Sequence, residues 1–184
     1  MEKTRMEQAV ASRKEKAFDC CEAVFVTYHD LLNVPYRQAR NIAHTYGCCT
    51  GINGVFDSYD DLHFFRYLHM CVKFGIEGMF ASCGALCGAI LCAAVKENPI
   101  QGEVPTEMLS FCPNAMEIYN TFVEKFDTPE CGRLCGRLTR TKPVADCDDI
   151  IRYCCKLVED RVFPGMFESV ELPEIIKCPI AKEA

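Results

Sequence analysis

No lysine- or arginine-rich run occurs in the 184 residues, and the net charge is −6 with a pI near 5.3. A nucleic-acid-binding surface is therefore disfavoured, because it needs clustered positive charge. There is no G-x-G-x-x-G, no P-loop, no H-E-x-x-H and no G-x-S-x-G, which removes the common signatures of dinucleotide, nucleotide, zinc-protease and serine-hydrolase chemistry. No C-x-x-C pair exists, so the local spacing of a common ferredoxin or zinc ribbon is missing too, and C-x-x-C-H haem attachment with it. No stretch reads convincingly as a strand, which points to an all-α fold. The opening Met1-Glu2-Lys3-Thr4-Arg5 starts no apolar signal segment. Residues 79–95 are uncharged, but they reach only the lower edge of a membrane span, and Glu77 and Lys96 close them. Their middle is glycine and cysteine rather than leucine, so a buried central helix is expected and a membrane span is not.

What the chain does have is 15 cysteines, near the density of a disulfide scaffold in a short secreted protein. The odd count, the missing apolar leader and a length sufficient for a real core argue against that scaffold. A reducing cytoplasm is expected instead, where surplus cysteine points to metal or redox work. Most of the cysteines are expected to be small buried hydrophobes.

The sequence is organised around residues 79–95. Cys83 and Cys87 are four apart and share one helical face, and Gly84 and Gly88 leave another side bare. The spacing C-G-x-L-C-G recurs from Cys131 through Cys135 to Gly136. Around this centre the pattern predicts a single-domain bundle of six or seven helices over residues 1–163, with an irregular tail over 164–184 packed on it. Residues 3–33 read as one long helix whose apolar face carries Ala17, Cys21, Val24, Phe25, Tyr28 and Leu32. Cys20, about 100° round from Cys21, falls at the periphery. Pro35 opens a second helix that stops at Gly47, leaving Cys48-Cys49 in a loop. Ser58 opens a third helix, which Gly75 ends; its His63 and His69 fall on different faces and make a poor chelating pair.

The central helix ends near Glu97. A further helix opens at Pro105 or Thr106 and reaches Phe126, with Pro113 marking a kink or a late start. Thr128 caps a helix that holds Cys131 in its first turn, and Asp146 caps the last long helix with Cys147 at its first position. Cys147, Ile151, Cys154 and Val158 share a face of that helix.

First-turn positions matter because free N–H groups and the positive dipole end stabilise a thiolate. Cys131 and Cys147 occupy such positions, as does Cys83 if Ser82 is its cap. With Cys21 they make four soft ligands from four helices, a set that suits an iron–sulfur cluster or a tetrahedral zinc. Cys87 and Cys135 are secondary candidates. The pairs Cys48-Cys49 and Cys154-Cys155 take no assigned role.

The pattern resembles the redox-active protein family defined by four spaced cysteines and a C-G-A-x-x-G motif (the C_GCAxxG_C_C type). Cys21-Glu22-Ala23-Val24 matches its first cysteine, and Cys83-Gly84-Ala85-Leu86-Cys87-Gly88 its central motif. The run from Phe126 to Gly136 is similar to the block F-G-x-x-x-C-x-x-L-x-G, and Cys147 before Ile150 and Ile151 matches the last cysteine. Order and approximate spacing agree over residues 17–160. The resemblance implies a small helical redox protein, encoded near transporters or oxidoreductases. It also implies that Cys21, Cys83, Cys131 and Cys147 are ligands or redox thiols, since a related domain in split-Soret cytochromes holds an iron–sulfur cluster. Two features depart from the family pattern: the glycine-rich run before C-G-A is thinned to Gly75 and Gly78, and the segment around 48–74 is longer.

Three functions follow as expectations. The first is electron transfer through an iron–sulfur cluster, with a redox partner protein or oxidoreductase. The second is metal-free thiol–disulfide exchange through Cys83 and Cys131, which would make the chain itself an oxidoreductase. The third is a non-catalytic binding domain with a structural zinc. A homodimer through the glycine-faced helix or the aromatic residues Phe64, Phe65 and Tyr67 is a candidate assembly.

Overall fold

A computed structural model describes residues 1–50, 82–97, 112–134 and 145–173, the side chains of 45–50 excepted. Among the described residues the fold is all-α, with seven helices and no strand. They are α1 (Met6–Lys16), α2 (Cys20–Phe25), α3 (Tyr36–Thr50), α4 (Gly84–Glu97), α5 (Pro113–Phe126), α6 (Cys131–Leu134) and α7 (Cys147–Arg161), with a 3-10 turn over Val26–Tyr28 after α2. None of these helices is long and apolar enough to cross a membrane.

The long helix expected over 3–33 is broken. Ala17 takes a left-handed conformation (φ 53°) and ends α1. Asp19 then starts α2 through a reciprocal cap: its side chain accepts the Glu22 N–H at 2.8 Å, while the Glu22 carboxylate accepts the Asp19 N–H at 3.1 Å. Two orphan donors are satisfied at once, which favours restarting the helix over continuing it. α3 also differs from expectation, running through Gly47 to Thr50, so that Cys48 and Cys49 are helical rather than in a loop. The late start is realised in α5, where Pro113 is the first helical residue. The expected helix over 58–75, with His63 and His69, lies outside the described residues. So do Phe64, Phe65, Tyr67 and Cys135.

The central helix is α4, which packs against α2, α3, α5 and α7. Its contact with α2 is a backbone contact. A Cβ placed on Gly88 would meet the Cys21 carbonyl oxygen at 2.8 Å and the Val24 Cβ at 2.9 Å. Real Cβ atoms do not approach that closely, so only glycine lets the two helices sit at this distance. All six residues of α2 are buried. Around this pair the core is filled by Phe25, Tyr28, Leu86, Ile118, Phe122, Phe126, Ile151 and Val158.

α7 is anchored to the beginning of the chain. Glu159 is buried, yet its carboxylate accepts hydrogen bonds from Thr4 Oγ1 (2.8 Å), the Arg5 N–H (2.7 Å) and the Tyr28 hydroxyl (2.9 Å). A buried charge satisfied this fully is tolerated. At the other end of α7, Asp148 pairs with Arg13 (3.4 Å) and Lys14 (2.5 Å) of α1. The described start of the tail is tied down as well: Glu2 and Phe167 form an isolated bridge, with Glu2 N–H donating to Met166 O at 2.8 Å.

Gly88→Ala is expected to destabilise the chain. Overpacking costs about 1–3 kcal/mol, and the alanine's better helix propensity returns about 1 kcal/mol. A urea midpoint equal to or above that of the unsubstituted chain would show that α2 and α4 can part without cost.

Candidate metal centre

Four cysteines come to one place, each from the start of a different helix. Cys20, Cys83, Cys131 and Cys147 line a cavity of about 10 Å³, closed by Ala85, Leu134 and Ile150. That is room for roughly one water. Cys20, Cys131 and Cys147 are the first residues of α2, α6 and α7, and Cys83 immediately precedes α4. Cys20, Cys83 and Cys131 are buried, while Cys147 keeps partial exposure.

Local structure explains each position. The capping box at Asp19 puts Cys20 at the first turn of α2. At α4 the cap is the cysteine itself: the Cys83 sulfur accepts the N–H groups of Leu86 and Ala85. Asp146 caps α7 by accepting the Asp148 N–H at 2.8 Å, which fixes Cys147 behind it. Before α6, the Glu130 N–H donates to Thr128 Oγ1 at 3.1 Å, and the Glu130 carbonyl accepts the N–H groups of Arg133 and Leu134. Ser82 and Glu130 form an isolated antiparallel bridge, and the Cys83 N–H donates to Pro129 O at 2.7 Å. The two segments are thereby clamped side by side, one residue before Cys83 and one before Cys131.

Of the sequence-derived ligands, Cys83, Cys131 and Cys147 are brought together and Cys21 is not. Cys21 is fully buried in the α2–α4 interface, where its electrostatic neighbours are Asp19, Cys87, Cys92 and Cys83. Its place at the cavity is taken by Cys20, which the sequence reading put at the periphery and which is 3% exposed. The signal that could have found it is Asp19-x-x-Glu22, a cap signature that makes Cys20 a first-turn residue. Cys87 faces the interior on α4 and does not line the cavity. Cys154 and Cys155 are buried core residues of α7.

None of the ten cysteines whose side chains are described is in a disulfide. Cys20 hydrogen-bonds to Cys147, and this contact, ahead of burial, holds the Cys20 thiol well above its ordinary value. Burial pushes Cys83 up to about 12, although its two N–H donors act the other way. Arg13, paired with Asp148, is the cation that favours the Cys20 thiolate. No three of the four cavity sulfurs fall within 4.8 Å of one another; among the described residues the group of three that does is Asp19, Glu22 and His44. A larger cavity of about 390 Å³, lined by Arg5, Lys16, Phe18, His29, Asp30 and Tyr36 among others, contains no cysteine. There the Arg5 guanidinium is already spent on Asp30, at 2.6 and 3.0 Å.

The buried thiols make the metal-free, reduced chain alkali-sensitive. Cys83, Cys154 and Cys155 all have thiols raised by burial from an ordinary value of 9.0. Above pH 9 the unfolded chain loses thiol protons that the folded chain retains, so stability falls as pH rises. Urea midpoints are expected to hold steady between about pH 7 and 9 and to decline from there toward 12; a flat profile from 9 to 12 would mean the thiols titrate alike in both states. No family model, curated protein or solved structure matches the chain.

Proposed function

We propose that the protein transfers electrons through an iron–sulfur cluster held by Cys20, Cys83, Cys131 and Cys147. The observation that carries this reading is the convergence of four cysteine side chains, from four helix starts, on one small cavity. Four thiolates are a common ligand set for such clusters. Cys20 and Cys147 are in hydrogen-bond contact, but no three of the four sulfurs lie within 4.8 Å of one another, wider than the spacing of about 3.8 Å between sulfurs on a tetrahedral zinc. A cluster would have to widen the cavity, which now admits roughly one water.

Bound there, a cluster supplies one-electron chemistry. The chain's own residues do the rest. The four thiols give up their protons as they become ligands, so loading is coupled to pH. The N–H groups of Leu86 and Ala85, directed at the Cys83 sulfur, offset negative charge and raise the reduction potential. Arg13 acts in the same direction from α1. The buried cysteines and the wall of Ala85, Leu134 and Ile150 keep water out. Cys147, partly exposed, marks the edge at which a redox partner protein or an oxidoreductase would dock. The four-block motif resemblance points the same way, with its first cysteine moved by one position.

Metal-free thiol exchange fits less well. A nucleophilic thiol needs an accessible thiolate near neutral pH, whereas the Cys83 thiol is buried and raised to about 12.

Protein purified without air is expected to contain iron and acid-labile sulfide and to show a broad visible absorption. Cys20→Ser and Cys83→Ser should each lose most of that absorption, while Cys21→Ala should keep it. Colourless, iron-free protein that cannot be reconstituted would overturn the reading. Loss of colour with Cys21→Ala but not with Cys20→Ser would restore the ligand set drawn from the sequence.

A further inference from the structure

The electron-transfer reading leaves Asp19, Glu22 and His44 unused. Asp19 and Glu22 cap α2, and His44 reaches them from α3. His44 Nδ1 lies 3.3 Å from Asp19 Oδ2 and 3.5 Å from Glu22 Oε2. The two carboxylates are buried, at 5% and 2% exposure, whereas the His44 side chain is 63% exposed.

The oxygens are not equally occupied. Asp19 Oδ1 accepts the Glu22 N–H, Glu22 Oε2 accepts the Asp19 N–H, and Glu22 Oε1 accepts Arg40 Nε at 3.1 Å. Asp19 Oδ2 is buried and accepts no hydrogen bond. A buried carboxylate oxygen without a donor costs free energy that some cation would recover. It points toward the same place as Glu22 Oε2 and His44 Nδ1, and the three atoms lie within 4.8 Å of one another.

We propose that Asp19, Glu22 and His44 form a second metal site, which takes a divalent first-row cation on two carboxylates and one imidazole, with water completing the shell. The spacing fits. Ligand atoms about 2.0–2.2 Å from a common tetrahedral ion stand about 3.3–3.6 Å apart; His44 Nδ1 is 3.3 and 3.5 Å from the two carboxylate oxygens, which lie within 4.8 Å of each other. The ligand chemistry differs from that of the cysteine cavity: oxygen and imidazole nitrogen here, sulfur there. The exposed His44 ring gives the ion a route in. Once bound, the ion would pin α3 to the start of α2, one residue from Cys20. The proposal does not depend on what the cysteine cavity holds.

Manganese(II) is the probe, because oxygen ligands suit it and thiolates do not. Metal-stripped, reduced full-length chain is titrated with manganese chloride, and the free ion is followed by electron paramagnetic resonance. One ion per chain is expected to bind. Asp19→Asn keeps an oxygen that can cap α2, and His44→Ala alters a largely exposed side chain. Each should weaken binding by at least about tenfold while leaving the circular dichroism spectrum unchanged. Failure of the unsubstituted chain to bind one ion, or equal binding by both variants, would overturn the proposal and leave an ion pair only.

Discussion

The backbone contact between α2 and α4 at Gly88 sets the geometry of the rest. With the Cys21 carbonyl oxygen 2.8 Å from where a Gly88 Cβ would stand, the two helices are locked at a separation that admits no side chain on Gly88. α4 begins beside the start of α2 for this reason, so Cys83 and Cys20 can line one cavity. α5, α7 and α3 then close around α4. Close packing makes such a contact stiff, because neither helix can slide without driving backbone into backbone. A site built on the starts of these helices inherits that stiffness, as positioned ligands require.

Thiols suit this design for a second reason. A protonated cysteine is a small, nearly apolar group that can be buried cheaply. As a thiolate it is a charge, and burial opposes it, as Cys83 shows. The folded chain therefore accepts all four side chains while they are neutral, and a metal centre is the kind of partner that could take the protons' place. Donor N–H groups at α4 and the guanidinium of Arg13 lessen the cost of the charged form without removing it. The other buried cysteines, Cys21, Cys92, Cys154 and Cys155, meet the same desolvation without the cavity. They behave as core hydrophobes, which is what most of the cysteines were expected to be.

The helical class, the central place of α4, the proline start of α5 and the capped start of α7 were all legible in the chain. Each is written in local signals: a long small-residue run, a proline at a first position, an aspartate before a helix. Cys131 and Cys147 at first positions followed from the same signals. What was not legible was the break at Ala17. Apolar residues recur with helical spacing straight through it, because α1 and α2 both bury a face and the periodicity survives the gap. Once α2 is a separate, wholly buried helix, having an apolar face no longer distinguishes Cys21 from Cys20. The chain start does, and it selects Cys20. The extension of α3 through Gly47 is a second case of context overriding a local stop signal.

The same break explains why Asp19 and Glu22 are buried at all. In one continuous helix they would lie mid-helix, with no N–H groups to satisfy and every reason to face water. Restarting the helix turns them inward, each accepting the other's backbone N–H. That arrangement satisfies two of the four carboxylate oxygens, Arg40 satisfies Glu22 Oε1, and Asp19 Oδ2 is left without a donor. A cap alone would not need Glu22 to be 2% exposed, or His44 and Arg40 of α3 to converge on it. The cap is thus also the junction between α2 and α3, with the Arg40 guanidinium pairing with Glu22 and the His44 ring lying beside both carboxylates. Placing that junction beside Cys20 links the stability of the α2–α3 contact to the position of one sulfur in the cavity.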